Sequence, residues 1–290
     1  MNKVRDIFIH QKTIYSFELF PPKTPEGYLK LLDTIHQLAD LKPDFISCTY
    51  GAGGGSREKT LDIVEHIQKK HNITAVAHLT CVLHTKDEIK TILQEMKRRK
   101  INNVLALRGD APKENPNWKP GPNNFKYSSQ LVAFIRQHFG SYFGIGVAGF
   151  PEGHLLCPDR NLSAQHLKSK IDAGANYVIT QLFFDNQDYF DYMARLKKLG
   201  VNKPVIPGIL PITDYAALVR FCALCGASIP AQVHEIFKPI AEDSAKTLEV
   251  GIRFAVKQCQ ELLDQGAPGL HFYTLNKVSP TDIILKEVHR

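Results

Sequence analysis

Residues 75–108 read AVAHLTCVLHTKDEIKTILQEMKRRKINNVLALR, and their pattern indicates the class of fold. Two short apolar segments, Ala75–Cys81 and Val104–Arg108, flank a segment, Lys86–Lys100, in which apolar residues recur at helical spacing. Almost continuous apolar character is typical of parallel strands that are buried on both faces. The stretch therefore predicts a strand, a helix and a second strand.

The same alternation continues on both sides of this unit. Eight strand candidates, helical patterns between them and no break in composition predict a single α/β domain over residues 1–290, a (β/α)8 or TIM barrel. An open doubly wound sheet is the alternative, but the strand count favours the barrel. The other strand candidates are Tyr15–Phe20, Phe45–Tyr50, Gly144–Phe150, Tyr177–Phe184, Val205–Leu210 and Gly269–Leu275. The other helix candidates are Leu29–Leu41, Arg57–His71, Tyr127–Phe139, Ser163–Ala173, Gln187–Leu199, Asp214–Cys225, Pro230–Phe237, Ala241–Asp264 and a last helix from Pro280 onward.

Composition excludes several classes of function. The chain has 290 residues, of which 43% are hydrophobic and 22% charged, with a net charge of +7. Its apolar runs fall short of the roughly 18 residues that cross a membrane, and its N-terminus lacks the apolar core of a signal peptide. Basic and acidic residues are interspersed, without the basic stripe of a nucleic-acid-binding protein. We expect a cytoplasmic protein with no nucleic-acid or membrane partner, whose mildly basic surface suits anionic small molecules.

Six cysteines are scattered along the chain, which predicts reduced thiols rather than a disulfide framework. Cys222 and Cys225 form a C-x-x-C pair, which is compatible with redox activity or with half of a zinc site. No second pair completes a zinc site, and the surrounding stretch Leu218–Gly226 is apolar and helical in pattern. Buried thiols are the favoured interpretation, and no metal site is predicted.

Unusual polar residues lie near the C-terminal ends of several strands, where (β/α)8 proteins carry their sites. Glu18 lies inside the apolar stretch Ser16–Pro22, SFELFPP. Burial should raise the pKa of this carboxyl group, which suits a general acid. The alternative is a buried glutamate paired with a lysine or an arginine.

Three other strands carry residues that could either bind a ligand or complete the fold. Thr49–Ser56, TYGAGGGS, places glycines before a helix, where backbone can approach an anion closely, although a flexible loop explains it equally well. His78 lies within the third strand, and a lone strand histidine is more often a core residue than a ligand. Gln181 in the sixth strand can present a donor and an acceptor to a heterocycle, or bond to backbone as a core amide.

The fourth and fifth strands add a polar cluster and a set of small residues. The fourth ends in Leu107–Asp110, LRGD, whose simplest structural explanation is an Arg–Asp ion pair. The fifth, Gly144–Gly149, has the spacing G-x-G-x-x-G, but it lies inside a strand, so we reject it as a dinucleotide fingerprint. Its small residues should leave barrel space for a ligand. The residues alone thus indicate an enzyme-like barrel with a buried acid and room for a flat ligand.

Taken together, these strand ends resemble those of the methylenetetrahydrofolate reductase family. Seven motifs occur in order along nearly the whole chain, which makes the resemblance far more specific than any single motif. It covers the family's catalytic barrel and implies no regulatory domain of the kind found in larger eukaryotic members. The motifs are Ser16–Pro22 (SFELFPP), Thr49–Ala52 (TYGA), Ala77–Cys81 (AHLTC), Leu107–Asp110 (LRGD), Asp172–Phe184 (DAGANYVITQLFF), Ile206–Pro211 (IPGILP) and His271–Asn276 (HFYTLN).

The resemblance implies FAD at the C-terminal face of the barrel and a ping-pong reaction. NADH or NADPH would reduce the flavin, and 5,10-methylenetetrahydrofolate would then accept the hydride, giving 5-methyltetrahydrofolate for methionine synthesis. Glu18 matches the general acid that protonates the folate, and Asp110 matches a carboxylate beside flavin and pterin. Gln181 and Phe221 match substrate contacts, and Lys277 stands at a substrate-binding position that is commonly arginine.

The implied FAD site draws on most of the strand ends, and Arg108 and Lys170 suit the ribityl and pyrophosphate groups. Phe150 departs from the family's usual tyrosine. Ser163 and His166 replace an aspartate and an asparagine near the adenosine. Further departures are Leu155–Asp159, Lys23 and Ala217. The positions that match the FAD site are Thr49, Tyr50, Ala52, His78, Arg108, Gly109, Asp110, Tyr127, Ser128, Phe150, His154, Ser163, His166 and Lys170.

Three other functions stay open at this point. They are an FAD barrel of the proline dehydrogenase type, a pterin-binding methyltransferase barrel without flavin, and a binding module that is no enzyme. The SFELFPP strand with Glu18 argues against the first. A yellow protein that is bleached by NADH or NADPH would favour the hypotheses in which the protein binds a flavin. The sequence does not indicate which nicotinamide is used, and we expect a homo-oligomer.

Overall fold

Eight parallel strands close into a barrel in the computed structural model, which describes residues 2–10, 13–50, 57–111, 115 and 117–288. Each strand pairs with its neighbours in chain order, and β1 closes the barrel by pairing with β8. The predicted (β/α)8 class is therefore confirmed. The strands are β1 (Ile14–Leu19), β2 (Phe45–Cys48), β3 (Thr74–Thr80), β4 (Asn103–Leu107), β5 (Gly144–Gly149), β6 (Tyr177–Leu182), β7 (Val205–Ile209) and β8 (Gly269–Tyr273).

Helices connect the strands and form the outer layer. Each predicted strand and helix is present, with bounds that differ from the prediction by a few residues. Within the described ranges, no helix combines the length and the apolar character needed to cross a membrane. The helices are α1 (Val4–His10), α2 (Pro25–Asp40), α3 (Arg57–His71), α4 (Lys86–Arg98), α5 (Ser128–Phe139), α6 (Arg160–Asp172), α7 (Asn186–Lys198), α8 (Tyr215–Cys225), α9 (Ala231–Phe237), α10 (Ser244–Asp264) and α11 (Thr281–Glu287), with a 3-10 turn at Lys238–Ile240.

The N-terminal end of the barrel is filled by an apolar cluster that includes Phe45, Tyr177 and Ile206. Helix α1, which the sequence patterns did not predict, packs Val4 and Ile7 against this cluster. The Val4 backbone N–H also donates to the side-chain oxygen of a buried asparagine at the start of β4. A helix of seven residues is too short to show a clear periodicity, which explains why the sequence analysis missed it.

The C-terminal half of the barrel interior is polar instead. Successive side chains of a strand point to opposite faces, so residues two apart share a side. In β1, Ile14 belongs to the interior cluster, whereas Tyr15 and Phe17 pack toward the helices. Ser16 and Glu18 therefore face the interior, one layer and two layers above Ile14. This alternation places the candidate acid in the mouth of the barrel.

Candidate active site

Glu18 faces two histidines. Its Oε2 atom lies 3.5 Å from Nε2 of His78 in β3 and 3.6 Å from Nε2 of His271 in β8. Both imidazole rings are buried, whereas the Glu18 side chain is 20% exposed. Among the residues that the structure describes, no lysine or arginine forms an ion pair with Glu18, so the alternative of such a pair is not supported there. His78, which looked like a lone core histidine, contacts the candidate acid.

The predicted rise in the pKa of Glu18 is wrong. Burial does raise the pKa of this carboxyl group, but the polar contact with His271 and the positive potential of His78 outweigh burial, so the pKa lies below its ordinary value. Burial lowers the pKa of His78, against an opposing effect of Glu18. The carboxyl group of Glu18 is therefore ionised at neutral pH.

His271 is a site residue that the sequence analysis did not select. Its Nδ1 atom lies 2.8 Å from the Ser16 hydroxyl, and its ring stacks on Phe45 with 5.9 Å between centroids. Strands β1 and β8 pair with Ser16 opposite His271. The predicted closure of the barrel could have identified His271. In a closed barrel the first strand pairs with the last, which places the SFE segment beside the HFY segment.

A second polar group, which we call the basic cluster, consists of Arg108, His154, His166 and Lys170. Burial lowers the pKa of His154, and the positive charges of Arg108, Lys170 and His166 lower it further, against an opposing effect of Asp110. These side chains come from the ends of β4 and β5 and from α6. Convergent positive charge of this kind favours an anionic ligand.

Lys170 is the most constrained member of the basic cluster. Its Nζ atom donates to the Ala148 carbonyl at 2.9 Å and lies 5.4 Å from the centroid of the Phe150 ring. Burial lowers the pKa of its ammonium group to about 8. None of the ion pairs found among the described residues involves Lys170. A partly buried ammonium group that forms no ion pair with a described carboxylate fits a diphosphate group.

The end of β4 is not held by the Arg–Asp ion pair that offered the simplest explanation. Arg108 donates through Nε to the Gly109 carbonyl at 3.2 Å, and Asp110 is exposed, with no ion pair between these two described residues. Gly109 has a φ of +82°, and a Cβ there would lie 2.9 Å from the Thr80 Cβ. Glycine is therefore required by the turn itself.

The prediction that the glycines of β5 leave barrel space for a ligand is wrong. A Cβ at Gly146 would lie 2.5–2.7 Å from ring atoms and the hydroxyl of Tyr177 in β6. A Cβ at Gly144 would lie 2.5 Å from the side-chain oxygen of Asn103 in β4. The missing side chains of β5 are replaced by side chains of its two neighbouring strands, so these glycines serve internal packing.

The remaining predicted positions lie around the C-terminal ends of the strands. Gln181 is half-buried in β6, and its Oε1 atom accepts a hydrogen bond from its neighbour Leu182 at 3.0 Å. Tyr50 is buried, and its hydroxyl lies 3.0 Å from Nε2 of His84. Ala52 lies outside the described residues. Thr49 follows β2, Tyr127 precedes Ser128 at the start of α5, Ser163 is buried in α6, Phe221 is partly exposed on α8, and Lys277 is exposed after β8.

Comparisons with known proteins agree on one family. The sequence model described as methylenetetrahydrofolate reductase matches residues 3–289. The Escherichia coli protein named 5,10-methylenetetrahydrofolate reductase is 36% identical over 90% of this chain and 86% of its own length. Schizosaccharomyces pombe methylenetetrahydrofolate reductase 1 is 35% identical over 99% of this chain but 48% of its own length. The chain thus spans about half the length of the eukaryotic relatives that it matches.

A solved structure supports the fold. A Clostridium thermocellum protein, described as binding two copies of 5-methyl-5,6,7,8-tetrahydrofolic acid, superposes with a TM-score of 0.64. The alignment covers 98% of this chain and 95% of that one, with 17% sequence identity. At this identity the likeness shows the shared barrel architecture and nothing more.

Proposed function

Because the chain belongs to the methylenetetrahydrofolate reductase family, we propose that it reduces 5,10-methylenetetrahydrofolate to 5-methyltetrahydrofolate. NADH or NADPH is the electron donor, FAD is the bound cofactor, and the product supplies methyl groups for methionine synthesis. The observation that carries this proposal is Glu18, a carboxylate inside the mouth of the barrel that is held between two buried histidines. No other described residue of β1 offers an ionisable group to that interior.

The basic cluster fits the cofactor. Lys170 and Arg108 would hold the diphosphate and the ribityl chain, because a buried ammonium and a guanidinium both gain charge-assisted hydrogen bonds from such groups. His154 and His166 would line the same path toward the adenosine, and the buried Tyr50 would pack near the ring system. When bound, FAD supplies the transfer of electrons from the nicotinamide to the folate. The hydroxyl of the family's usual tyrosine is absent at Phe150, where Lys170 lies over the ring instead.

The folate step needs one proton in addition to the hydride. The carbon–nitrogen bond of the one-carbon bridge breaks, the carbon gains a hydride to become a methyl group, and the released nitrogen gains a proton. Glu18 donates that proton, and Gln181 holds the pterin edge through its carboxamide. Since the neighbouring histidines lower the pKa of Glu18, the carboxyl group takes up a proton before each turnover. Asp110, which is exposed after β4, would favour positive charge on the folate during ring opening.

The substitution Glu18→Gln tests the proposal, because it keeps the shape of the side chain and removes the proton. Stopped-flow absorbance of the flavin would follow each half-reaction separately. We expect flavin reduction by NADH or NADPH to stay within about threefold of the wild type, whereas oxidation by methylenetetrahydrofolate falls by at least about a hundredfold. A wild-type protein that binds no FAD would refute the whole proposal. A Glu18→Gln variant with two intact half-reactions would refute only the role of Glu18.

A further inference from the structure

The sixth strand is irregular at the residue proposed to hold the pterin. Val178 and Ile179 pair with consecutive residues of β7, but the next pair is Leu182 with Gly208. Thr180 and Gln181 therefore stand opposite one residue of β7, which defines a β-bulge. Bulges redirect side chains at the rims of barrels, so this one determines where the Gln181 side chain lies.

The bulge accepts a hydrogen bond from a tyrosine in β8, on the other side of β7. The Tyr273 hydroxyl, in β8, donates to the Thr180 carbonyl at 2.6 Å. The backbone N–H of Gly208 donates to the Thr180 hydroxyl at 2.9 Å. The hydroxyl of Thr180 is thus bonded from the adjacent strand β7, and its carbonyl is bonded from β8, which is not adjacent to β6. The bond from Tyr273 spans from β8 to β6, across the strand between them.

Gly208 makes this crossing possible. A Cβ at Gly208 would lie 2.7 Å from the Tyr273 ring and hydroxyl, and it would also collide with the Thr180 carbonyl oxygen. The absence of a side chain therefore leaves the path that the tyrosine occupies. Tyr273 is largely buried there, pairs with Glu18 in the β1–β8 register and faces the same interior. The pKa of its phenol is raised by burial and by the charge of Glu18, so the hydroxyl keeps its proton and acts as a donor.

From this geometry we infer that Tyr273 is a positioning residue for the folate substrate, acting through the Thr180 carbonyl and the bulge to fix the Gln181 side chain. The inference rests on the proposed function, because Gln181 matters only if a pterin occupies the mouth. It assigns Tyr273 no part in proton transfer. The hydroxyl contributes by holding backbone, which sets substrate affinity rather than the rate of the chemical step.

The substitution Tyr273→Phe keeps the ring over Gly208 and removes only the hydroxyl. We expect flavin content and flavin reduction by the nicotinamide to stay within about twofold of the wild type, while the KM for methylenetetrahydrofolate rises about five- to tenfold at nearly constant kcat. Tyr189→Phe is the matched control. The Tyr189 hydroxyl also donates to a strand carbonyl, that of Val205 at 2.8 Å, but from the helix side of the barrel.

A double-mutant cycle with Gln181→Ala decides whether Tyr273 acts through Gln181. If it does, the KM of the double variant equals that of Gln181→Ala alone, and the pH profile of folate reduction keeps its wild-type shape. An unchanged KM in Tyr273→Phe would overturn the inference, and so would fully additive effects or a pH profile displaced through Glu18. A wild-type enzyme that fails to turn over folate at all would instead count against the proposed function, so the two failures are distinguishable.

Discussion

At the scale of single residues, the contacts of an ionisable side chain determine whether its pKa rises or falls in the folded protein. Glu18 illustrates the point, because its apolar sequence context predicts a raised pKa and its tertiary contacts produce the opposite. Two histidines from distant strands outweigh desolvation. Lys170 differs, because burial lowers the pKa of its ammonium group and none of the described residues forms an ion pair with it that offsets this effect.

The lowered pKa of Glu18 leads to a pH prediction for the folate half-reaction. Because the pKa of Glu18 lies below its ordinary value, its carboxyl group is almost fully ionised at neutral pH. The fraction in the acid form therefore rises about tenfold for each unit by which the pH falls. We expect the rate of flavin oxidation by methylenetetrahydrofolate to rise correspondingly between pH 8 and about pH 5.5. Flavin reduction by the nicotinamide serves as the internal control and should change much less. A rate of flavin oxidation that stops rising as soon as the pH falls below neutrality would contradict this prediction.

Lys170 leads to a prediction about stability. Its folded-state pKa is about 8, below the ordinary value of 10.5, so between these pH values the unfolded chain keeps a proton that the folded protein releases. The stability of the FAD-free protein should therefore rise as the pH increases through this window. Lys170→Met should raise the melting temperature at pH 7 by roughly 3 °C, with a gain that shrinks toward pH 10, and should weaken FAD binding.

Lys168→Met is the control for that experiment, because Lys168 on the same helix forms an ion pair with Asp172 and is not a member of the basic cluster. We expect it to give neither the gain in stability nor the loss of FAD affinity. An equal effect of the two substitutions would show that burial of the Lys170 ammonium is not the cause.

Among the secondary-structure elements, α1 contributes to the core without a strong sequence signal. Ile7 is buried among the side chains that fill the N-terminal end of the barrel, whereas Ile9 on the same helix is 73% exposed. Ile7→Ala should lower the free energy of unfolding by about 2–4 kcal/mol in urea titrations, because it leaves a cavity in a packed cluster. Ile9→Ala should change it by less than about 0.5 kcal/mol. Equal effects would mean that α1 does not pack as described.

At the scale of the whole molecule, the packing of the barrel depends on side chains of one strand that fill volume left free by a neighbouring strand. Gly146 in β5 and Tyr177 in β6 show this, because the tyrosine ring occupies the volume that a β5 side chain would need. Gly146→Ala should destabilise the protein by about 1–3 kcal/mol through overpacking. In a Tyr177→Leu background the same change should cost much less, which denaturant titrations of the four proteins would show. Additive costs would indicate that the two residues do not compete for the same volume.

Sequence patterns were enough to predict the class of fold, the eight strands and the helices other than α1, because apolar periodicity and turn residues are local properties of the chain. Polar residues near the ends of apolar strands marked Glu18, Arg108 and Gln181 as candidates, whereas His154, His166 and Lys170 were candidates only through the family resemblance. Family membership follows from the same ordered motifs and is confirmed by the comparisons.

The residues that surround those candidates became clear from the three-dimensional arrangement of the strands. His78 and His271 are separated from Glu18 by 60 and 253 positions, and the closure of the barrel brings their rings within 3.6 Å of its carboxylate. The pKa of Glu18, the use of the β5 glycines and the fastening of the Gln181 bulge by Tyr273 all depend on such contacts. Charge interactions and steric exclusion act through space over a few ångströms, so separation along the chain cannot predict them.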